Sequence, residues 1–88
     1  MIEKAVTVKN RAGIHARPAA NIVKTANKFN CEIRIKKDND EINAKSIMGI
    51  ITLAAAFKTE LILVADGEDE QSAVDALFNL FENKFEEE

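Results

Sequence analysis

The apolar residues of this chain change period from two to about 3.6 and back, and that succession restricts the fold more than any other feature. From Ile2 to Val8, Ile2, Val6 and Val8 fall on one face and Thr7 on the other, the pattern of a strand. Ala19, Ile22, Val23 and Ala26 then recur at helical spacing, which predicts a first helix from about Arg17 to Lys28. Cys31 to Lys36 alternates apolar against charged, Asp38-Asn39-Asp40 signals a turn, and Glu41 to Ala44 returns as a short strand, so the two form a hairpin. A second helix is predicted from Ser46 to about Phe57 and a fourth strand from Glu60 to Ala65. After Gly67 comes a last helix, with Glu68-Asp69-Glu70 at its start, where the helix dipole favours acids. Its stripe of Val74, Leu77, Phe78, Phe81 and Phe85 reads as core packing, and Glu86 to Glu88 as a frayed acidic end. The order βαββαβα predicts an α+β fold, with helices covering one face of a mainly antiparallel sheet. Leu61, Leu63 and Ala65 match the inward phase of the fourth strand. Ile62 and Val64 would then lie on a face left wet, with no functional account.

Composition narrows the function classes. Eighty-eight residues, 47% hydrophobic and 31% charged, suit one soluble globular domain with one modest core. A net charge of −3 argues against general nucleic-acid binding, and the absence of Tyr and Trp disfavours a small RNA-binding domain. Cys31 is the only cysteine, so no internal disulfide is possible, and with a single histidine a zinc site has no plausible ligand set. No metal and no cofactor is expected. Neither a signal peptide nor an apolar run of membrane length is visible, which makes the cytoplasm the default compartment; the sequence gives no sign of a stable oligomer, so a monomer is the default state.

The chemistry concentrates in Gly13-Ile14-His15-Ala16-Arg17-Pro18, which holds the only histidine and the only proline. Proline suits the first turn of a helix, so His15 falls just before a helix N-terminus, where backbone N–H groups lack helical partners and the dipole is positive. Arg17 adds a charge with donors suited to phosphate oxygens. Gly13 allows a tight turn before the histidine. A nucleophile beside an anion site implies phosphoryl acceptance. A surface or capping histidine, and a solvated arginine, are the plain alternatives. No glycine-rich nucleotide loop and no obvious carboxylate cluster for Mg²⁺ accompany the site, so it reads as a carrier and not as a self-sufficient enzyme.

Ser46 fits an N-cap. Behind it, Ile50, Leu53 and Ala54 suffice for one buried helix face, leaving Ile47, Met48 and Ile51 as surplus for either core packing or docking.

His15-Ala16-Arg17-Pro18 after Gly13-Ile14, followed about thirty residues later by Lys45-Ser46-Ile47-Met48-Gly49, resembles the histidine-containing phosphocarrier (HPr) family of the bacterial phosphoenolpyruvate-dependent sugar phosphotransferase system. The resemblance spans Met1 to about Phe85. It implies an open-faced β-sandwich, a four-stranded antiparallel sheet covered on one face by three helices. It also implies phosphorylation of His15 at Nδ1 by enzyme I, support of the phosphoryl group by Arg17, and transfer to enzyme II A components. Ala16, Ala20, Ile47, Met48 and Ile51 match docking positions. In some relatives the serine matching Ser46 is phosphorylated by an ATP-dependent HPr kinase/phosphorylase; here that role and a plain N-cap both stand open. Two departures are visible. Arg11-Ala12 precedes Gly13 where relatives often carry a small polar residue, and Phe57-Lys58-Thr59 replaces a lysine-glycine helix close. A purely regulatory or nitrogen-control module of the same fold is the competing reading.

Overall fold

The structure is a computed structural model and describes residues 1–86. Its strands are β1 (Ile2–Thr7), β2 (Glu32–Lys37), β3 (Asp40–Asn43) and β4 (Glu60–Asp66). Its helices are α1 (Ala16–Ala26), α2 (Ile47–Thr52) and α3 (Glu70–Glu82). A short 3₁₀ turn, Lys84–Glu86, follows. The strands form one antiparallel sheet in the order β1-β4-β2-β3. This is the open-faced, four-stranded arrangement that the family resemblance implies, and an antiparallel α+β sheet as the order of elements predicts. The expected frayed end falls mostly on Glu87 and Glu88, outside the described residues.

Period-two alternation sets the sheet's inner face. In register, Val6 stands opposite Leu61, Ile35 opposite Leu63 and Ile33 opposite Ala65, and all six are buried beneath the helices. Lys4 has the same phase opposite Leu63, but β1 is an edge strand and the side chain reaches out to place Nζ 4.6 Å from the Phe78 ring centroid. From α1, Pro18, Ala19, Ile22 and Ala26 turn inward, and from α3, Ala73, Val74, Leu77 and Phe81. Phe85 does not continue the α3 stripe as a helical residue. Lys84 and Phe85 take positive φ, 55° and 56°, and the reversal brings Phe85 edge-on to Phe81, with ring centroids 4.8 Å apart.

The sheet's outer face is only partly wet. Ile62 is 40% exposed, as expected of an uncovered face, but Val64 is 7% exposed. Val64 lies between Glu3 and Arg34 on the neighbouring strands, in a lattice of charges: Arg34 pairs with Glu32 and Glu41, and Lys36 with Glu3 and Glu41. Long charged side chains with apolar stems can shield a valine there while their heads remain in water.

The second helix departs most from expectation. It ends at Thr52, not near Phe57, although Leu53-Ala54-Ala55-Ala56 is good helix-forming sequence. Tertiary partners claim the carbonyls a longer helix would need. Lys37 Nζ donates to the Leu53 carbonyl at 2.9 Å, and Ile14 N–H to the Ala55 carbonyl at 2.9 Å. Ala54 takes φ 51° and points to solvent, so Ala55 replaces it in the core.

Candidate functional site

The loop before α1 is built around a glycine. Gly13 has φ +76°, and a Cβ there would lie 2.9 Å from the Ala55 carbonyl oxygen and 3.2 Å from Ala56 Cα, so both conformation and space require glycine. The fully buried Asn10 closes the turn: its Nδ2 donates to the Gly13 carbonyl at 2.6 Å, and Gly13 N–H donates to its carbonyl at 3.1 Å. Ile14 anchors the next step, its side chain in the core and its N–H on Ala55.

His15 follows as the N-cap of α1, in extended conformation (φ −107°, ψ −160°), with its carbonyl accepting from Ala19 N–H at 2.9 Å. Its imidazole is exposed and makes no capping hydrogen bond of its own. The helix begins at Ala16, one residue earlier than expected, which makes Pro18 the third helical residue. A first-turn N–H finds no partner within its helix, so proline costs nothing there, and the amides of Ala16 and Arg17 are the donors left facing the mouth. Arg17 is exposed beside them, and no acid occupies this first turn. The arrangement suits an anion on the imidazole.

α2 packs against α1 and completes the surface. Ser46 is its N-cap, with Oγ accepting from Gly49 N–H at 3.2 Å. Of its six residues only Ile50 is buried. Ile47, Met48 and Ile51 are exposed, at 41%, 65% and 37%, which decides against their packing in the core. Ala16 and Ala20 are exposed on α1. The residues singled out for docking thus occupy two packed helices and keep their side chains outward.

Sequence reasoning overlooked a charge pattern plain in the chain. Residues 4–31 carry Lys4, Lys9, Arg11, Arg17, Lys24 and Lys28, residues 42–59 carry Lys45 and Lys58, and neither stretch holds an Asp or Glu. These stretches include α1, α2 and the His15 loop, so in a chain of net charge −3 the elements that carry and flank the histidine contribute no acidic side chain of their own. Lys45 is held by the Phe29 carbonyl at 2.7 Å, and Lys9 pairs with Glu82.

Cys31 is remote in character from this chemistry. Burial, assisted by the Asp69 carboxylate, pushes its thiol up to about 11, so it stays protonated and inert. Asp69, the N-cap residue of α3, does not cap with its side chain. Its carboxylate accepts from Asn30 N–H (2.8 Å) and Cys31 N–H (2.9 Å), and these bonds hold its pKa below the usual carboxylate range. Among the described residues, no group of three potential ligands could hold a metal ion, and no helix is long and apolar enough to cross a membrane.

The family model for the phosphotransferase-system HPr component phosphorylation site matches residues 2–83. The chain belongs to the HPr family. The phosphocarrier protein HPr of Treponema pallidum is 52% identical over 88 residues, the full length of both chains. A crystal structure of HPr-C-His from Thermoanaerobacter tengcongensis superposes with a TM-score of 0.96 at 49% identity, over 100% of this chain and 99% of that one. A second crystal structure, of an HPr dimer from the same organism, matches with a TM-score of 0.78 at 48% identity, covering 97% of this chain and 98% of that one. Membership in HPr makes this a phosphotransferase-system carrier of phosphoryl groups and not a catalyst.

Proposed function

We propose that this chain accepts a phosphoryl group from phospho-enzyme I on Nδ1 of His15 and passes it to enzyme II A components in sugar uptake. One observation carries the reading: His15, its imidazole exposed, is the N-cap residue of α1, immediately before Ala16 and the exposed Arg17. The ring nitrogen bonds to phosphorus as the bond from phosphorus to the donor breaks. The amides and guanidinium offset the charge brought to the helix mouth. Because the ring stands at the surface, donor and acceptor can reach the same nitrogen in turn. Exposed Ile47, Met48 and Ile51, with Ala16 and Ala20, form the apolar part of the contact, and the absence of acids from α1, α2 and the His15 loop favours acidic partners.

Ser46 suits a regulatory role at the edge of that contact. A phosphate on Oγ would set negative charge beside Ile47 and Met48 and oppose an acidic partner. If this is right, Ser46→Asp slows charging by enzyme I; an unchanged rate leaves Ser46 as a plain cap. The carrier works here as a monomer, which light scattering checks against the dimer solved for the Thermoanaerobacter tengcongensis protein.

Incubation with enzyme I and labelled phosphoenolpyruvate tests the acceptor. Acid-labile label on the wild type, absent from His15→Ala and slowed in Arg17→Ala, is the expected result. Label that persists in His15→Ala, or a wild type that takes none, contradicts it.

A further inference from the structure

Of the five phenylalanines, Phe81 and Phe85 are fully buried, and Phe29 and Phe78 pack against the core. Phe57 is the exception, 43% exposed and outside that core. Its segment is not a slack connection. Ala54 and Lys58, on either side of it, hold positive φ (51° and 72°) without being glycine. Ala55 accepts from Ile14 N–H, Lys58 N–H donates to the Val8 carbonyl at 2.8 Å, and Ala56 N–H donates to Thr59 Oγ1 at 3.1 Å. The ring is therefore offered to solvent from a turn fixed on the same loop that presents His15. Ala56, the residue before it, backs directly on Gly13.

Lys58 Nζ lies 5.5 Å from the Phe57 ring centroid, so the exposed ring carries a cation with it. Ile51, in the last turn of the preceding helix, is exposed, and no acid occurs from residue 42 to residue 59. An apolar ring under a positive charge, in a stretch of chain without acids, is complementary to an apolar depression rimmed by carboxylates. We propose that Phe57, with Lys58 over its ring, is a contact residue for the phosphoryl donor, seated in such a depression on enzyme I. The inference rests on the donor reading given above. The donor is favoured over an acceptor because every copy of the chain must meet it, whichever acceptor follows.

Initial rates of charging by enzyme I and labelled phosphoenolpyruvate, with the chain as varied substrate, test this. For Phe57→Ala the expected result is a KM raised by about fivefold with kcat within about twofold of wild type, the signature of lost binding. Its thermal midpoint should stay at the wild-type value, and Phe57→Leu should recover part of the KM. Lys58→Asn, which tolerates the left-handed backbone, should raise KM by roughly twofold at low salt and less at high salt. An unchanged KM in Phe57→Ala, with the wild type still labelled on His15, overturns this inference alone. So does a lowered thermal midpoint with KM unchanged, which marks a structural ring. A wild type that takes no label overturns the donor reading and this inference together.

Discussion

Helices α2 and α3 lie on the same side of the sheet and are both rich in apolar residues, yet they use them in opposite ways. α3 spans thirteen residues and buries Ala73, Val74, Leu77 and Phe81, with its apolar stripe against β1 and β4. α2 spans six, buries Ile50 alone, and exposes Ile47, Met48 and Ile51. Burial makes α3 a contributor to stability, since apolar area removed from water is the main favourable contribution to folding. Apolar area left on α2 contributes nothing to the free chain and becomes useful when a partner covers it. The backbone agrees with this division. α3 is tied at its start by Asp69 to the amides of Asn30 and Cys31, while α2 is cut short by Lys37 and Ile14 taking the carbonyls beyond it.

Mutations separate the two roles. The largest effect is expected from Phe81→Ala in α3, where a fully buried ring is lost: about 3–5 kcal/mol of stability, a large share of what a small domain possesses. Urea unfolding measures it, and a cost below about 1 kcal/mol, the range of surface changes, would break the contrast. Ile51→Ala in α2 should do the reverse. With the side chain 37% exposed, stability should fall by less than about 1 kcal/mol. Meanwhile KM for charging by enzyme I should rise by roughly fivefold. An Ile51→Ala chain that unfolds easily but charges normally would place that residue with the core.

A smaller effect sharpens the comparison at the start of α3. The Asp69 carboxylate titrates below its unfolded value because it accepts the Asn30 and Cys31 amides. Its contribution is therefore fully present above the unfolded pKa near ~3.9 and is lost as pH falls through the lower folded value. Glu70, lowered by the Gly67 amide and the Met1 ammonium, acts in the same sense. Asp69→Asn should lower the urea midpoint at neutral pH and flatten its fall from about pH 5 downward. An equally steep acid fall in the variant would remove Asp69 from the account.

The strands and α3 were legible because period-two and period-3.6 patterns report directly which side chains face a core. His15, Arg17 and Ser46 were legible for a local reason: N-cap and first-turn positions are read from neighbouring residues alone. The end of α2 was not, because Leu53 to Ala56 favours helix and only distant partners, Lys37 and Ile14, interrupt it. The burial of Asn10 was not legible either. As a loop asparagine it looks solvated, yet it is fully buried, with its Nδ2 on the Gly13 carbonyl. Val64 was placed in water by its phase, whereas Arg34 and Glu3 on neighbouring strands flank and shield it.

The central claim is that His15 carries a phosphoryl group between proteins. The direct test charges the chain, removes enzyme I and phosphoenolpyruvate, and adds an enzyme II A protein. The account predicts that label leaves His15 and appears on the acceptor at a rate proportional to acceptor concentration. Label that stays on the chain, or passes only to water whatever the acceptor concentration, would contradict it.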